Sequence, residues 1–330
     1  MEFRSNVEIL FAVIDNTATI IKEELECPYL EAIAETGENL FHGKILQEEI
    51  SELSKKRLEK EYSSINLGRY SKEDIRKSYQ LTVLKGMKEA VQVNHQMTPD
   101  AVAIFISYLV SKLTSKQHQF SILDPVIGTG NLLTTILNQN SEKEIFSNGS
   151  EIDDLLLKIA YVSANLQEHS IQLFNQDSLE PLFIDPVDIV VGDLPVGYYP
   201  NDVGALKYDL RADQGHSFAH HLFIEQGINY TKAGGYLVLL IPNSLFSSEQ
   251  APKLNTYLNE HCYVQSMLQL PLSLFKNEHS AKSILILQKK APGVTPPKQA
   301  LFVELPKFSN KPAMASITGK IDAWFDKEKR

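Results

Sequence analysis

The stretch Asp124-Pro125-Val126-Ile127-Gly128-Thr129-Gly130-Asn131 follows a short apolar run at residues 121–123 and predicts a strand that ends in a tight glycine turn. Gly128 and Gly130 allow the backbone to turn sharply and to approach a bound molecule closely. Asp124, at the strand end, is placed to accept a hydrogen bond from a cationic amine. The spacing differs from the full G-x-G-x-x-G dinucleotide pattern, so the turn alone does not identify its ligand.

Short apolar runs alternate with helical stretches from residue 121 onward. This alternation predicts an α/β fold with a doubly wound, seven-stranded, mostly parallel sheet and helices on both faces. In such sheets, ligands bind beyond the carboxyl ends of the strands. The predicted strands are 121–123, 145–151, 171–174, 187–191, 236–241, 264–270 and 283–287, and the predicted helices between them are 132–137, 155–166, 218–230 and 251–258.

The chain before residue 94 has a different texture, because its apolar residues recur at helical spacing among many Glu and Lys. It predicts an N-terminal helical bundle, with Gly37, Gly43 and Gly68 as breaks between helices. We therefore expect an N-terminal helical domain at 1–93, a catalytic domain at 94–291 and a C-terminal extension at 292–330.

Two later predicted strands also end in carboxylates. Glu151 lies where a ribose diol is held in this fold class, although Asp153 and Asp154 beside it also suit the start of a helix. Asp177 could accept a hydrogen bond from an adenine amine, or it could be an ordinary turn aspartate. Acidic residues at three successive strand ends favour S-adenosylmethionine as the cofactor.

The second decisive motif is Gly192-Asp193-Leu194-Pro195, at the end of the apolar run 187–191. An acidic residue followed by proline at a strand end can hold an amine for chemistry. With the glycine turn upstream, this order predicts a methyltransferase that takes its methyl group from S-adenosylmethionine.

These motifs resemble the amino-methyltransferases that act on adenine in DNA, in particular the modification subunit of type I restriction systems and its shorter single-chain relatives. The resemblance covers about residues 94–290, and the helical N-terminus is also similar. It implies a class I, Rossmann-like fold, S-adenosylmethionine as the cofactor and an adenine-specific DNA methyltransferase activity. The cofactor-binding residues that we predict are Thr98, Asp124, Pro125, Gly128, Gly130, Asn131, Glu151, Ile152, Asp177, Ser178 and Asp193.

The family's catalytic pattern is Asn or Asp, then Pro, Pro and an aromatic residue, whereas this chain has Asp193-Leu194-Pro195-Val196. Asp193 and the Leu194 carbonyl can still accept the two hydrogens of a target amine, and Pro195 keeps the backbone stiff. Val196 replaces the aromatic ring, and stacking of a base on such a ring contributes about 1–3 kcal/mol. Tyr198 or Tyr199 could supply a ring from a displaced position, or both could be ordinary loop tyrosines. The predicted catalytic residues are Asp193, Leu194, Pro195 and Tyr198.

A histidine cluster follows at residues 216, 220 and 221. His216 and His220 could share one helix face, but no neighbouring acidic residue or cysteine completes a metal site, so we expect no metal. We expect Ser217 or His216 to cap the helix and Phe218 to enter the core.

Composition limits the partners. The net charge of −9 argues against tight autonomous DNA binding, so we expect DNA binding that is weak or assisted by a partner. Arg69, Lys72 and Arg76 have helical spacing, which favours a solvated face that pairs with glutamates over a DNA-contacting helix. Only about 40 residues follow the last predicted strand, too few for a target-recognition domain. Sequence-specific recognition would therefore come from another subunit or from the helical bundle, or would not occur.

Location is suggested by what the sequence lacks. Its two cysteines are far apart, its N-terminal residues do not have a signal-peptide pattern, and no apolar run approaches the roughly 20 residues of a membrane span. We therefore expect a cytoplasmic protein without membrane association.

Three other functions stay open at this point. Val196 and the negative charge also suit a methyltransferase that acts on RNA or on a protein glutamine side chain. The altered motif also suits a degenerate regulatory protein that binds S-adenosylmethionine without transferring its methyl group. A nicotinamide-dependent oxidoreductase fits the fold but leaves Asp193-Leu194-Pro195 unexplained.

Overall fold

The structure, a computed structural model, describes residues 4–89 and 97–328 of the chain. Internal contacts divide the chain into two compact units. One unit comprises Met1–Ser107, Ile127–Ser141 and Gly149–Asn175, and the other comprises Tyr108–Val126, Glu142–Asn148 and Gln176–Arg330. The boundaries predicted at 93/94 and 291/292 remain predictions, and the first lies outside the described residues.

The helical N-terminal region is confirmed, with α1 (Asn6–Leu25), α2 (Tyr29–His42), α3 (Glu52–Ser63) and α4 (Lys72–Glu89). Gly43 ends α2 in the left-handed conformation, and Gly68 lies in a short 3-10 helix between α3 and α4. The prediction that Gly37 breaks a helix is wrong, because Gly37 lies inside α2. A Cβ atom there would stand 2.3 Å from Cγ1 of Val162, so glycine serves close packing rather than a turn.

Eight strands form one sheet within the described residues, in the order β3-β2-β1-β4-β5-β7-β6-β8. Strand β4 pairs in parallel with β1 and β5, β8 pairs in parallel with β6, and β7 is antiparallel to both β5 and β6. The strands are β1 (Gln119–Asp124), β2 (Glu144–Glu151), β3 (Ile171–Asn175), β4 (Val187–Asp193), β5 (Thr231–Pro242), β6 (Cys262–Gln269), β7 (Lys282–Lys289) and β8 (Leu301–Glu304). The remaining α-helices are α5 (Asp100–Leu113), α6 (Asn131–Gln139), α7 (Asp154–Leu166), α8 (Asp202–Ala205), α9 (Ala219–Asn229), α10 (Ala251–His261) and α11 (Lys311–Glu328).

The predicted α/β class and mostly parallel sheet are confirmed, but the predicted count of seven strands is wrong. Strand β8 was missed because it has four residues, only half of them partly buried, after a proline-rich segment. Such a short edge strand has too little apolar periodicity to stand out in the sequence.

Each unit has its own hydrophobic core. In the first unit, α1, α2 and α4 bury apolar side chains together with Ile159, Val162 and Leu166 of α7. In the second unit, the inner strands β4, β5 and β7 pack with α9 and α10, and Ile189 and Val190 of β4 are almost fully buried. Burial on both faces explains the consecutive apolar residues 189–191 of β4, whereas Asp188 before them is half-buried and pairs with Lys232.

Candidate active site

The glycine turn after β1 has the backbone geometry that its sequence predicts. Gly128 and Gly130 have φ angles of +53° and +79°, which favour glycine. A Cβ atom on Gly130 would lie 3.2 Å from the Cβ of Ala160, whereas one on Gly128 would meet no atom within 4 Å. Gly130 therefore permits close packing on α7, and Gly128 borders open space.

Asp124 and Gly192 mark the carboxyl ends of the paired strands β1 and β4. Asp124 is buried, and its Oδ1 accepts a hydrogen bond from the Val126 amide at 3.1 Å. A Cβ atom on Gly192 would stand 2.9 Å from Cγ2 of Val126 and 3.5 Å from that same Oδ1. Glycine at position 192 therefore avoids a clash with the Val126 side chain, whereas the contact with Asp124 would be of ordinary length.

Glu151, at the end of β2, fastens the glycine turn. Its Oε2 accepts from the Gly128 amide at 3.0 Å, and its Oε1 accepts from the amides of Ile152 and Asp153 at 2.9 and 3.0 Å. Asp153 is the residue that caps α7, since its side chain accepts from two amides of the first turn. Capping therefore does not explain Glu151, and the Ile152 side chain beside it is 67% exposed.

Asn131, the first residue of α6, connects three segments of the first unit. Its Nδ2 donates to the Thr98 carbonyl at 3.1 Å, and its Oδ1 accepts from Nη1 of Arg76 at 2.7 Å. Arg76 also donates to both oxygens of Glu73 and to Oδ1 of Asp100. The predicted cofactor residues Thr98 and Asn131 are thus bonded to each other, and a side chain of the N-terminal helices holds Asn131 from its other side.

Arg76, which the sequence does not mark as part of the site, supports the predicted cofactor residue Asn131. It was expected on a solvated basic face, but it is 1% exposed. Burial alone would lower the pKa of Arg76, but the hydrogen bonds with Glu73 and Asp100 outweigh burial and raise it. Its charge therefore persists inside the protein because three polar partners surround it. The sequence does indicate the ion pair with Glu73, because Glu73 and Arg76 stand about one helical turn apart.

Asp177 lies in the turn after β3 and is braced from two sides. Its Oδ1 accepts from the Leu179 amide at 2.9 Å, and its Oδ2 accepts from the Tyr199 hydroxyl at 2.5 Å. Burial and the bond with Asp177 raise the pKa of Tyr199, so this hydroxyl stays protonated and donates. Since Tyr199 is buried, its ring is not available to a target base in place of the aromatic residue that Val196 replaces. Ser178, the next residue, is also buried, and its carbonyl accepts from Nε2 of Gln226 at 2.6 Å.

Asp193 and Leu194, at the end of β4, both contact one nitrogen atom. The Nζ of Lys282, the first residue of β7, donates to Oδ1 of Asp193 and to the Leu194 carbonyl, the latter at 3.2 Å. The Leu194 amide donates to the Leu240 carbonyl of β5, and this bond helps to fix the position of the Leu194 carbonyl. The side-chain and main-chain acceptors predicted for an amine therefore converge on a single point.

Tyr198 is an exposed ring that stacks on a half-buried one. Its ring stacks on Phe218 with centroids 4.9 Å apart and planes 9° apart, and Phe218 in turn stacks on His220 at 5.1 Å. Backbone bonds on both sides of this pair, from the Tyr199 amide to the Ser217 carbonyl and from the Ala219 amide to the Gly197 carbonyl, fix the two segments. The Tyr198 side chain is 56% exposed, so a flat molecule has access to it.

The histidines after this loop do not behave as predicted at the helix start. Phe218 precedes α9 without a side-chain cap, Ser217 Oγ accepts from the Ala212 amide, and His216 pairs with Asp202 at 3.0 Å. The expected cap by Ser217 or His216 is therefore wrong. Burial lowers the pKa of His220 to about 4 and that of His221 to about 3, so both rings are neutral near pH 7. Within 4–89 and 97–328, no three His, Cys, Asp or Glu residues group as metal ligands would.

The fold is that of a class I S-adenosylmethionine-dependent methyltransferase. Residues 87–316 match the N-6 DNA methylase family, and residues 8–87 match the YtxK N-terminal helical domain. The chain belongs to the N-6 DNA methylase family, and its cofactor is S-adenosylmethionine.

Similar proteins extend over the whole chain. The uncharacterized protein YtxK of Bacillus subtilis (strain 168) is 51% identical over 327 residues, which is 99% of each chain. The crystal structure of a candidate class I S-adenosylmethionine-dependent methyltransferase from Listeria monocytogenes has a TM-score of 0.91 at 45% identity, covering 97% of this chain and 99% of that one.

A more distant structure shares the fold. The type I restriction-modification methyltransferase subunit from Streptococcus thermophilus has a TM-score of 0.69 at 15% identity, over 97% of this chain and 74% of that chain. As for membrane spans, none of the described helices combines the length and the apolar character that crossing a bilayer requires.

Proposed function

We propose that this methyltransferase transfers a methyl group to the exocyclic amine of adenine in DNA. The observation that carries the proposal is the convergence of Asp193 Oδ1 and the Leu194 carbonyl on one nitrogen, that of Lys282. A target amine at that point would donate its two hydrogens to these acceptors. The adenine amine is a poor nucleophile because its lone pair is delocalised into the ring, and such bonding favours a pyramidal, more reactive nitrogen.

Each residue of the motif then has a separate role. Asp193 and the Leu194 carbonyl orient the amine, and Pro195 stiffens the backbone between them and the loop. Tyr198 stacks on the adenine, which must leave the base stack to be methylated. Its stacked pair with Phe218 supports this role, because the support fixes the ring that Val196 does not supply.

Cofactor binding is proposed for residues at the other strand ends. When bound, S-adenosylmethionine supplies a methyl group on a sulfonium that a nitrogen can attack. The buried Asp124 carboxylate suits its cationic amine, and Glu151 suits its ribose. The open space beside Gly128 admits a bound molecule, and Asp177 is assigned to the adenine amine. We assign binding to Thr98, Asp124, Pro125, Gly128, Gly130, Asn131, Glu151, Ile152, Asp177, Ser178 and Asp193.

The roles are not equally direct. Asp177 already bonds to the Leu179 amide and Tyr199, and Glu151 already bonds to three amides, so each would use a remaining lone pair for the cofactor. Both side-chain atoms of Asn131 are bonded, to the Thr98 carbonyl and to Arg76, so its part in cofactor binding is to shape the glycine turn.

Whether the target polymer is DNA, RNA or protein is tested with S-adenosylmethionine that carries a radioactive methyl group. The purified protein is offered an extract of cells that lack it, and the product is digested separately with DNase, RNase and protease. Label released by DNase alone supports the proposal. Label released by RNase or protease moves the target to RNA or to a protein glutamine, and tight cofactor binding without any label identifies a regulatory protein.

The residue assignment is tested by Asp193→Ala, which should abolish transfer and leave cofactor affinity nearly unchanged. Asp185→Ala is the matched control, because Asp185 is an exposed carboxylate just before the same strand, β4. Normal transfer by Asp193→Ala would rule out the proposed role of the carboxylate.

A further inference from the structure

Lys282 holds an unusual place among the lysines of β7. Its ammonium contacts Asp193 Oδ1 and the Leu194 carbonyl, and the exposed fractions of the Lys282 and Asp193 side chains are 17% and 18%. By contrast, Lys289 at the other end of β7 donates to the carbonyls of Ile228 and Thr231, which belong to no proposed catalytic group. Lys282 therefore bonds to the two proposed catalytic acceptors, whereas Lys289 bonds to backbone carbonyls where α9 leads into β5.

The two acceptors of Lys282 are the same two that the proposed function gives to the target amine. An ammonium has three N–H donors, and a primary amine on a base has two. The proposed function places the target amine at the point where the Lys282 nitrogen lies, and two nitrogens cannot occupy one point together. A charged donor also binds a carboxylate more strongly than a neutral one does. In the free protein the acceptor pair is thus already filled by an internal competitor.

Two buried histidines stand near the pair. The charge of Lys282 adds to burial in lowering the pKa of His220, which also bonds to the Pro195 backbone. His221 beside it is buried and neutral, and neither of its ring nitrogens has a hydrogen-bond partner among the described residues. The acidic side chain that pairs with this ammonium is that of Asp193.

Displacement by a neutral amine would leave the Lys282 ammonium and the Asp193 carboxylate separated in a half-buried place. This separation is costly unless the ammonium gains another anion. The phosphodiester of a nucleic acid brings such an anion together with the base, whereas a free nucleoside or a protein amide does not.

We infer that Lys282 is a specificity-determining residue: it occupies the amine acceptors of the free protein and yields them to a base whose attached phosphate takes up the displaced ammonium. The inference rests on the proposed function for the identity of the acceptors. It makes the phosphate backbone part of substrate selection in a protein of net charge −9.

Occupancy is tested first, without any substrate. The amines of the folded protein are acetylated for short times, and each lysine is followed by mass spectrometry. Lys282 should react at least about tenfold more slowly than Lys290, because an ammonium bound to a carboxylate is masked. In Asp193→Ala the difference should shrink, and Lys282 that reacts as fast as Lys290 in the wild type overturns the inference.

Selection is tested by binding in the presence of S-adenosylhomocysteine, so that no turnover occurs. The probes are 2′-deoxyadenosine and a short single-stranded oligodeoxyadenylate, and the variants are Lys282→Met and, as matched control, Lys290→Met. Lys282→Met should raise the affinity for deoxyadenosine about tenfold and reduce the preference for the oligonucleotide. Lys290→Met should match the wild type, since the Lys290 ammonium lies over the Tyr263 ring and bonds to the Asn259 carbonyl.

The outcomes separate this inference from the proposed function. An unchanged preference in Lys282→Met, or no binding of either probe to any variant, overturns the inference. A masked Lys282 and an altered preference, combined with no methyl transfer to DNA, uphold the inference and refute the proposed function.

Discussion

Arg76 donates a hydrogen bond from Nη1 to Oδ1 of Asn131 at 2.7 Å, across 55 residues of chain. The donor belongs to the N-terminal helix α4, and the acceptor is the residue at which the glycine turn becomes α6. Asn131 also donates a hydrogen bond from Nδ2 to the Thr98 carbonyl. The N-terminal helices therefore hold the segment on which cofactor binding is proposed.

Replacing Arg76 with Met should weaken cofactor binding. The variant keeps most of the side-chain volume but leaves Asn131, Glu73 and Asp100 without their shared donor, at a cost of about 1–3 kcal/mol. We expect a lower melting temperature and about a tenfold or larger loss of S-adenosylmethionine affinity, measured by calorimetry at a temperature where the variant is folded.

Arg69→Met is the control for this experiment, because Arg69 is an exposed arginine just before the same helix. It should bind the cofactor like the wild type. Arg76→Lys should recover only part of the affinity, since an ammonium cannot reproduce the fork of the guanidinium. Wild-type cofactor affinity in a folded Arg76→Met protein would contradict the role of Arg76.

Packing of α2 against α7 should depend on Gly37. A methyl group there would overlap Val162 and press on the Tyr79 ring, so Gly37→Ala should lower the free energy of unfolding by about 1–3 kcal/mol. Gly319→Ala offers the opposite case, because a Cβ atom on Gly319 of α11 meets nothing within 4 Å. That variant should be neutral or more stable by about 0.5–1 kcal/mol, and urea unfolding compares the two. Equal stability of the two variants would argue against tight packing at Gly37.

The parts of the fold that could be predicted are those with local periodic signals. Strand β4 is predictable because four of its first five residues are apolar, and the turn after β1 is predictable because Gly128 and Gly130 are needed there. Strand β8 carried no such signal. Gly37 was misinterpreted because a glycine that permits helix packing looks the same in sequence as one that ends a helix.

The site was predictable only where its residues lie in a motif. Asp193 and Leu194 stand together in the sequence, but Lys282 is 89 residues from Asp193 and reaches it only through the pairing of β7 with β5. Arg76 carried a misleading signal, because its spacing from Arg69 and Lys72 is that of a charged surface. Contacts fixed by tertiary structure have no local pattern from which they could be predicted.

Acid should destabilise the protein through its buried histidines. The folded-state pKa values of His169 and His220 are lowered to about 4, and that of His221 to about 3, chiefly by burial. An unfolded histidine has a pKa near 6.5, so between about pH 6.5 and 4 the unfolded chain binds protons that the folded chain refuses. The stabilisation is therefore complete above about pH 6.5 and is lost as the pH falls.

Each such histidine contributes at most about 1.4 kcal/mol per pH unit in that range. His221→Asn should reduce the slope of unfolding free energy against pH, measured by urea titration at several pH values. His279→Asn is the matched control, because it replaces an exposed histidine. Equal slopes for the wild type and His221→Asn would show that His221 does not titrate between the two states.

Removing the Tyr198 ring should weaken target binding more than it weakens cofactor binding. The ring is exposed and stacked on Phe218, so Tyr198→Ala deletes a flat surface without opening the core. If Tyr198 stacks on the target adenine, the variant should lose about 1–3 kcal/mol of binding free energy, seen as a raised KM for DNA at an unchanged affinity for S-adenosylmethionine. Tyr198→Phe keeps the ring and should restore KM, which separates stacking from any role of the hydroxyl. A Tyr198→Ala variant with unchanged KM would place the target base elsewhere and leave Tyr198 as a loop residue packed on Phe218.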